Sequence, residues 1–501
     1  MTQDRDPVPR VESGIPGLDE LLRGGFVRGR MYLVSGEPGT GKTTTGYHFL
    51  EDGLANGETV LHIHGEESSE ECLENAEQFG IDISAASFLD LGPDPDFFTE
   101  DPSYDLVNAE DIEEERYTRT IRESIEEIEP SRVVLDPITQ LKYIESSDHH
   151  YRKRLLSFMR FLKGRDITVV ATATTDATGQ SGTEVRSLSD GVIRLVHGED
   201  GRRIRIQKHR GVGQVDGTHG LEIRSAGIEV FPRVVPQPND KEFDPVPLSS
   251  GVAGLDDLAG GGFERGTVTF ITGPPGVGKT TTGGLYLIQA AAEGRKSVIY
   301  LFEEREETFV HRCRALGAPI DDIREEGLLS VETVDPLSMS AEEFAHGVRD
   351  RVENDGAEIV LIDGFGGYTT AIQGTTDELR RHLHALTRYL DHNEVSTFVT
   401  DATHRITGIA SATSSDISPI ADNLLFMSYI ELDGSLRKVI GVLKKRAGRF
   451  EHTLREFEIT ADGVQIGDPM TGFSGIIGGQ PQFGGGGPRG ERRALPTDST
   501  A

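Results

Sequence analysis

The sequence predicts an α/β protein built twice, as two tandem domains that each hold a mostly parallel twisted sheet flanked by helices. Three observations lead there. The stretch GEPGTGKTTTG beginning at Gly36 returns as GPPGVGKTTTG beginning at Gly273, 237 positions later. The same offset carries Gly17, Leu18, Asp19, Gly24, Gly25, Phe26, Arg28 and Gly29 onto Gly254, Leu255, Asp256, Gly261, Gly262, Phe263, Arg265 and Gly266, so a whole domain is repeated, with a period too long for a solenoid. In both halves short apolar runs alternate with polar helical stretches, the pattern of buried parallel strands joined by crossover helices.

The elements follow in order. Each half opens on a glycine-rich turn region, then an apolar strand (MYLVSG from Met31, TVTFITG from Thr267), the repeated loop, and a helix starting at Lys42 or Lys279. In the first half TVLHIHGEES from Thr59, SRVVLDPITQL from Ser131 and ITVVATATT from Ile167 are the next strands, with YTRTIRESIEEIE among the helical stretches. KSVIYLFEER from Lys296, EIVLIDGFGG from Glu358 and VSTFVTDATH from Val395 are their counterparts. RIRIQKHRG from Arg203 and KVIGVLKKRAG from Lys438 read as a further matched pair of strands. These runs divide the chain into a first domain over 1–235, a polar, proline-containing linker over 236–250, a second domain over 251–475 and a Gly/Pro-rich disordered tail over 476–501.

Bulk properties narrow the setting. A chain of 501 residues exceeds one ordinary core. No apolar run approaches the roughly 18 residues of a membrane span, and the opening MTQDRDPVPRVESG lacks a signal-peptide pattern, so a cytoplasmic protein without membrane contact is expected. Cys72 and Cys313 are too few and too isolated for a zinc site. The formal net charge is −32, with acids spread along the whole chain and only 11 lysines among 51 basic residues. That composition resembles proteins of salt-loving archaea, where molar salt shortens the Debye length to about 3 Å and screens self-repulsion. It also argues against a large nucleic-acid footprint, which needs a basic face.

Four sets of residues carry chemistry. The pattern G-x-x-x-x-G-K-[ST] is met by Gly36, Gly41, Lys42 and Thr43 and by Gly273, Gly278, Lys279 and Thr280, with Gly39, Thr44, Gly276 and Thr281 completing the loops. Glycines let backbone N–H groups converge on phosphate, the lysine reaches the β/γ oxygens, and the threonine hydroxyl ligates Mg²⁺. Asp136 and Asp363 end apolar runs, where a second Mg²⁺-organising carboxylate belongs. Glu66-Glu67 and Glu303-Glu304 each follow a strand at the carboxyl edge, again 237 apart, where at least one member of each pair can orient or deprotonate an attacking water. Finally, strand alternation puts Ile204, Ile206, Lys208 and Arg210 on one face, and Ile440, Val442, Lys444 and Arg446 on its counterpart. These cations suit a γ-phosphate in a neighbouring subunit; solvated strand ends, or salt bridges to the acidic surface, are the alternatives.

Taken together, the tandem GxxGLDxLLxGG-type entries, paired loops, strand-end Glu pairs, strand-end aspartates and Lys-x-Arg segments resemble the KaiC family of the RecA-like P-loop superfamily, over roughly residues 10 to 475. The resemblance implies a homo-hexameric double ring with ATP and Mg²⁺ bound between subunits at both levels. It implies that Lys208, Arg210, Lys444 and Arg446 act across interfaces. A phosphoacceptor pair in the second domain is also implied, and here Ser418 takes the Ser position while Pro419 replaces the Thr. Pro137 and Gly364 stand where the family usually has a hydroxyl residue. The expected function is ATP hydrolysis in signalling or timing, with a serine autokinase activity of the second domain left open and a regulatory protein as partner, the tail being one place to recruit it. The alternatives are a RecA-like DNA-dependent ATPase, with GRRIRIQKHRG as the basic contact, and a nucleotide-sensing scaffold.

Overall fold

The computed structural model describes residues 8–92, 109–139, 148–175, 183–198, 201–235, 246–335, 337–403, 420–432, 434–460, 463–470, 473–474 and 482–483. The chain divides into two compact units, Met1–Arg233 and Val234–Ala501.

The first unit is organised by a nine-stranded sheet of β1 (Met31–Gly36), β2 (Val60–His64), β3 (Ser87–Asp90), β4 (Arg132–Asp136), β5 (Thr168–Thr174), β6 (Gly191–Gly198), β7 (Gly201–His209), β8 (His219–Arg224) and β9 (Gly227–Phe231). Across the sheet they run β3-β2-β4-β5-β1-β6-β7-β8-β9. The six strands from β3 to β6 are parallel and the last three antiparallel.

The second unit repeats this arrangement with β10 (Val268–Gly273), β11 (Ser297–Leu301), β12 (Leu329–Thr333), β13 (Ile359–Asp363), β14 (Ser396–Ala402), β15 (Asn423–Leu432), β16 (Ser435–Lys445), β17 (Arg455–Thr460) and β18 (Gly463–Pro469), in the order β12-β11-β13-β14-β10-β15-β16-β17-β18. Each domain is therefore α/β with a mixed, mostly parallel sheet.

The packing explains the sequence pattern. Every residue of β1, β2, β10, β11 and β13 is buried, because helices cover both faces of the parallel part. Leu33, Ile63, Val133 and Val169 pack on one face of the first sheet, and Val34, Val134, Val170 and Ile193 on the other. In the second sheet Ile271, Ile299, Leu361 and Phe398 oppose Phe270, Val298, Val360 and Val399 in the same way.

The duplication also starts earlier than the repeated loops. Arg10–Val11 pairs antiparallel with Phe26–Val27, and Pro247–Leu248, inside the stretch read as linker, pairs with Phe263–Glu264 at the same offset. Residues 236–245 lie outside the described set. Within the stretch read as tail, Gln482–Phe483 pairs with Phe473–Ser474. Among the described residues no helix is long and apolar enough to cross a membrane.

Candidate active site

In each domain the central strand runs straight into the glycine loop. The helix Lys42–Ala55 has Gly41 as its N-cap at φ 96°, and Lys279–Ala292 has Gly278 at φ 119°. A side chain in the left-handed region costs about 1–2 kcal/mol. Space is closed as well: a Cβ at Gly41 would meet Ile223 Cδ1 at 2.8 Å, and one at Gly278 would meet Ile459 Cδ1 at 2.7 Å. Neither helix carries an acid in its first turn, so each presents free N–H groups and the positive end of its dipole. The loop lysines lie back over their own loops, Lys42 Nζ donating to Glu37 O at 2.9 Å and Lys279 Nζ to Gly273 O at 3.0 Å and Pro274 O at 3.2 Å.

The strand-end aspartates stand beside these loops. His64 pairs in register with Asp136, and Leu301 with Asp363, so each aspartate borders the strand that leads into a Glu pair. Asp363 is buried and accepts hydrogen bonds from Thr280 Oγ1 at 3.0 Å and Thr400 Oγ1 at 2.8 Å. Burial pushes its carboxyl up to about 6, against the pull of both hydroxyls. Asp136 accepts from the Thr172 hydroxyl. Burial lowers the ammonium of Lys42, opposed by the charges of Asp136 and Glu66; Lys279 is lowered in the same way, opposed by Asp363, Glu303 and Asp401. The loop hydroxyl of Thr280 touching a carboxylate is a donor set that suits Mg²⁺, which is typically held by one or two carboxylates together with substrate phosphates.

The Glu pairs are not equivalent within themselves. Glu66 and Glu303 are the members whose charge reaches the loop lysine. Glu67 and Glu304 turn toward the following helix instead. Glu67 Oε2 accepts from Asn75 Nδ2 at 3.2 Å. At the corresponding place Arg312 grips Glu304 with two bonds of 2.8 and 2.5 Å, a bidentate pair that fixes the carboxylate. Glu303 Oε1 accepts from the Gly367 backbone at 3.2 Å.

The paired cations lie elsewhere, and strand alternation misplaces them. A bulge opposite Val192 and Ile193 leaves Gln207 without a partner, and a second opposite Leu424 and Leu425 does the same to Leu443. The extra residue resets the alternation, so the inward side chains are His209, which meets the Tyr32 hydroxyl at 3.1 Å, and Lys445, buried against Glu264 at 2.9 Å. Lys208 and Arg210 therefore do not continue the face of Ile204 and Ile206, nor Lys444 and Arg446 that of Ile440 and Val442.

Lys208 Nζ donates to Arg186 O and Ser187 O, and Lys444 Nζ to Ala421 O. Arg210 and Arg446 are about half exposed beside Asp190 and Asp422. Because Asp190 N bonds Met31 O and Asp422 N bonds Val268 O, all four cations sit at the edge where β1 and β10 begin. The glycine loops leave the other end of those strands, roughly 20 Å away for six residues.

Some members of the site were not foreseen. Thr172 and Thr400 hold the aspartates, but they lie 228 positions apart and the aspartates 227 (136 to 363), so a comparison at the loop's offset passes over them. Arg312 and Asn75 do match at 237, yet they differ in kind. Asp401 is buried beside Lys279 with no acidic counterpart, Ala173 taking its place in the first sheet. Ser418 and Pro419 lie outside the described residues.

A central strand, a glycine loop opening a helix, and a neighbouring strand-end carboxylate define a P-loop ATPase, here twice in one chain. The family model "ATPase: KaiC" matches residues 11–235 and again 248–471, and the chain belongs to that family. Among curated proteins it is similar to the circadian clock oscillator protein KaiC of Parathermosynechococcus lividus, 28% identical over 490 residues that cover 95% of this chain and 88% of the relative. The same-named protein of Thermostichus vulcanus is 28% identical over 495 residues, covering 96% and 93%, and that of Prochlorococcus marinus 27% over 490 residues, covering 95% and 96%.

Proposed function

We propose that this chain hydrolyses Mg-ATP at two sites in a homo-hexameric double ring, and that slow turnover sets the ring's conformation for a regulatory partner in signalling or timing. The observation that carries this reading is the position of Lys208, Arg210, Lys444 and Arg446. They stand at the sheet edge opposite their own glycine loops, out of reach of the nucleotide of the same domain, and that supports a role toward a neighbour's.

In each site the glycine loop and its lysine bind the phosphates. Thr43 with Asp136, and Thr280 with Asp363, would hold Mg²⁺, which would supply positive charge against the phosphates. Glu66 and Glu303 orient or deprotonate the water, while Glu67 and Glu304 brace the turn. The −32 charge fits a cytoplasm of high salt and a protein that does not track nucleic acid. In the second domain Pro419 has no hydroxyl, so a two-residue Ser/Thr cycle cannot run at that pair; a phosphate, if transferred to the protein, goes to Ser418 or its Ser/Thr neighbours, and hydrolysis does not need it.

The test is ATP turnover in high-salt buffer. We expect Lys42→Ala with Lys279→Ala to abolish nucleotide binding. Glu66→Gln with Glu67→Gln, in a chain whose second site is disabled, should keep binding and lose turnover by about 10²-fold or more. Normal turnover in that variant removes the glutamates from the mechanism. Stimulation by single-stranded DNA would favour the DNA-dependent motor instead. Mass spectrometry after incubation with Mg-ATP, beside Ser418→Ala, reports the acceptor.

A further inference from the structure

His64 is the last residue of β2 and is buried. Its ring folds back over the turn that follows, with Nδ1 2.8 Å from Glu67 O and Nε2 2.9 Å from Ser69 Oγ. A carbonyl only accepts, so Nδ1 carries the proton, and in the neutral ring the Ser69 hydroxyl donates to Nε2. These two bonds close residues 64–69 into a clamp that contains both glutamates. The rings of His62 and Phe88, at 5.3 and 6.0 Å, hold the imidazole from the side, and a capping box between Ser68 and Glu71 fixes the far end of the turn. The matching positions of the second domain differ: Leu301 replaces the histidine, Arg305 gives no side-chain cap, and Arg312 grips Glu304 directly.

We propose that His64 is a positioning residue for the first site, acting through the main chain of Glu67 to set where Glu66 stands, and that the two domains aim equivalent glutamates by different devices. The proposal rests on the reading that these acids handle the attacking water. It adds a residue whose two ring hydrogen bonds both go to the turn itself.

The experiment measures kcat and KM for ATP in the full chain with Lys279→Ala silencing the second site. It compares His64→Leu, His64→Asn, Ser69→Ala and the double change Glu66→Gln with Glu67→Gln. His64→Leu, which installs the residue of the second domain, should lower kcat at least tenfold with KM within twofold. His64→Asn, whose amide can still donate to Glu67 O, should recover at least a third of the original kcat. Ser69→Ala should lower kcat about threefold.

A folded Leu variant with undiminished kcat beside an inactive double Gln variant overturns the proposal and leaves the glutamate reading standing. Equal loss in Leu and Asn, or loss through KM alone, also overturns it. Undiminished kcat in both the Leu and the double Gln variants removes the glutamate reading and the proposal with it. Should the Leu variant fail to fold, Ser69→Ala decides alone, since unchanged kcat there excludes the clamp.

Discussion

Glu303 has room for its carboxylate because residue 364 has no side chain. A Cβ on Gly364 would lie 3.0 Å from three atoms of the Glu303 carboxylate arm, and its φ of 101° is one that other residues rarely adopt. The Gly364 N–H also donates to Thr400 Oγ1 at 2.7 Å, tying the glycine to the threonine that holds Asp363. Gly364→Ala should therefore cost about 1–2 kcal/mol of stability through the backbone. Displacing Glu303 should lower second-site turnover by about tenfold or more. With Lys42→Ala silencing the first site, an unchanged rate would mean that the carboxylate has freedom the packing denies it. Arg312 gives a complementary expectation: Arg312→Asn, the residue the first domain uses, should leave nucleotide affinity within about threefold and alter kcat, because the guanidinium holds Glu304 and not the phosphates. A change confined to affinity would reassign Arg312 to binding.

The same strands and helices are built from differently titrating parts in the two domains. The first holds His48, His62 and His209 where the second has Leu285, Ile299 and Lys445. Burial depresses His48 to about 4, His62 to about 3 and His209 to about 4, and the His48 ring accepts a hydrogen bond from Ile228 N that only a neutral nitrogen can take. Between those values and the ordinary 6.5 the unfolded chain binds more protons than the folded one. This stability is fully present above about pH 6.5 and is lost as pH falls through the window. In the second domain Asp363, raised to about 6, works in the opposite sense, since the folded state takes up its proton first. Calorimetry between pH 7.5 and 5 should show the first domain's transition moving to lower temperature more steeply than the second's, and parallel shifts would contradict this.

Elements of this kind also show what the sequence could reveal. The glycine loops, the strand-end acids and the parallel strands are contiguous patterns, so they were legible, and the fold class with them. What was not legible depends on three-dimensional placement that no contiguous pattern marks. Thr172 reaches Asp136 from another strand, His64 bends back on its own turn, and a single unpaired residue at Gln207 or Leu443 reverses which side chains face inward.

At the scale of the molecule, 83 acidic against 51 basic residues make salt part of the folding problem. Self-repulsion over a Debye length of about 10 Å at 0.1 M salt shrinks to about 3 Å at 1 M. Melting temperature and assembly size should both fall on dialysis from molar KCl into dilute buffer, and insensitivity to salt would tell against a surface tuned for it. Assembly matters because each site is proposed to be completed by another copy of the chain. The most direct measurement mixes two variants, Arg210→Ala and Lys42→Ala, each made with Lys279→Ala so that only first-domain turnover is read. Each alone should be nearly inactive, one lacking the cation offered to its neighbour and the other its own phosphate loop. Co-assembled, they should recover a fraction of wild-type turnover, because some interfaces then join an intact loop to an intact arginine. Full activity of Arg210→Ala alone, or no recovery in rings shown to contain both variants, would contradict a site shared between subunits.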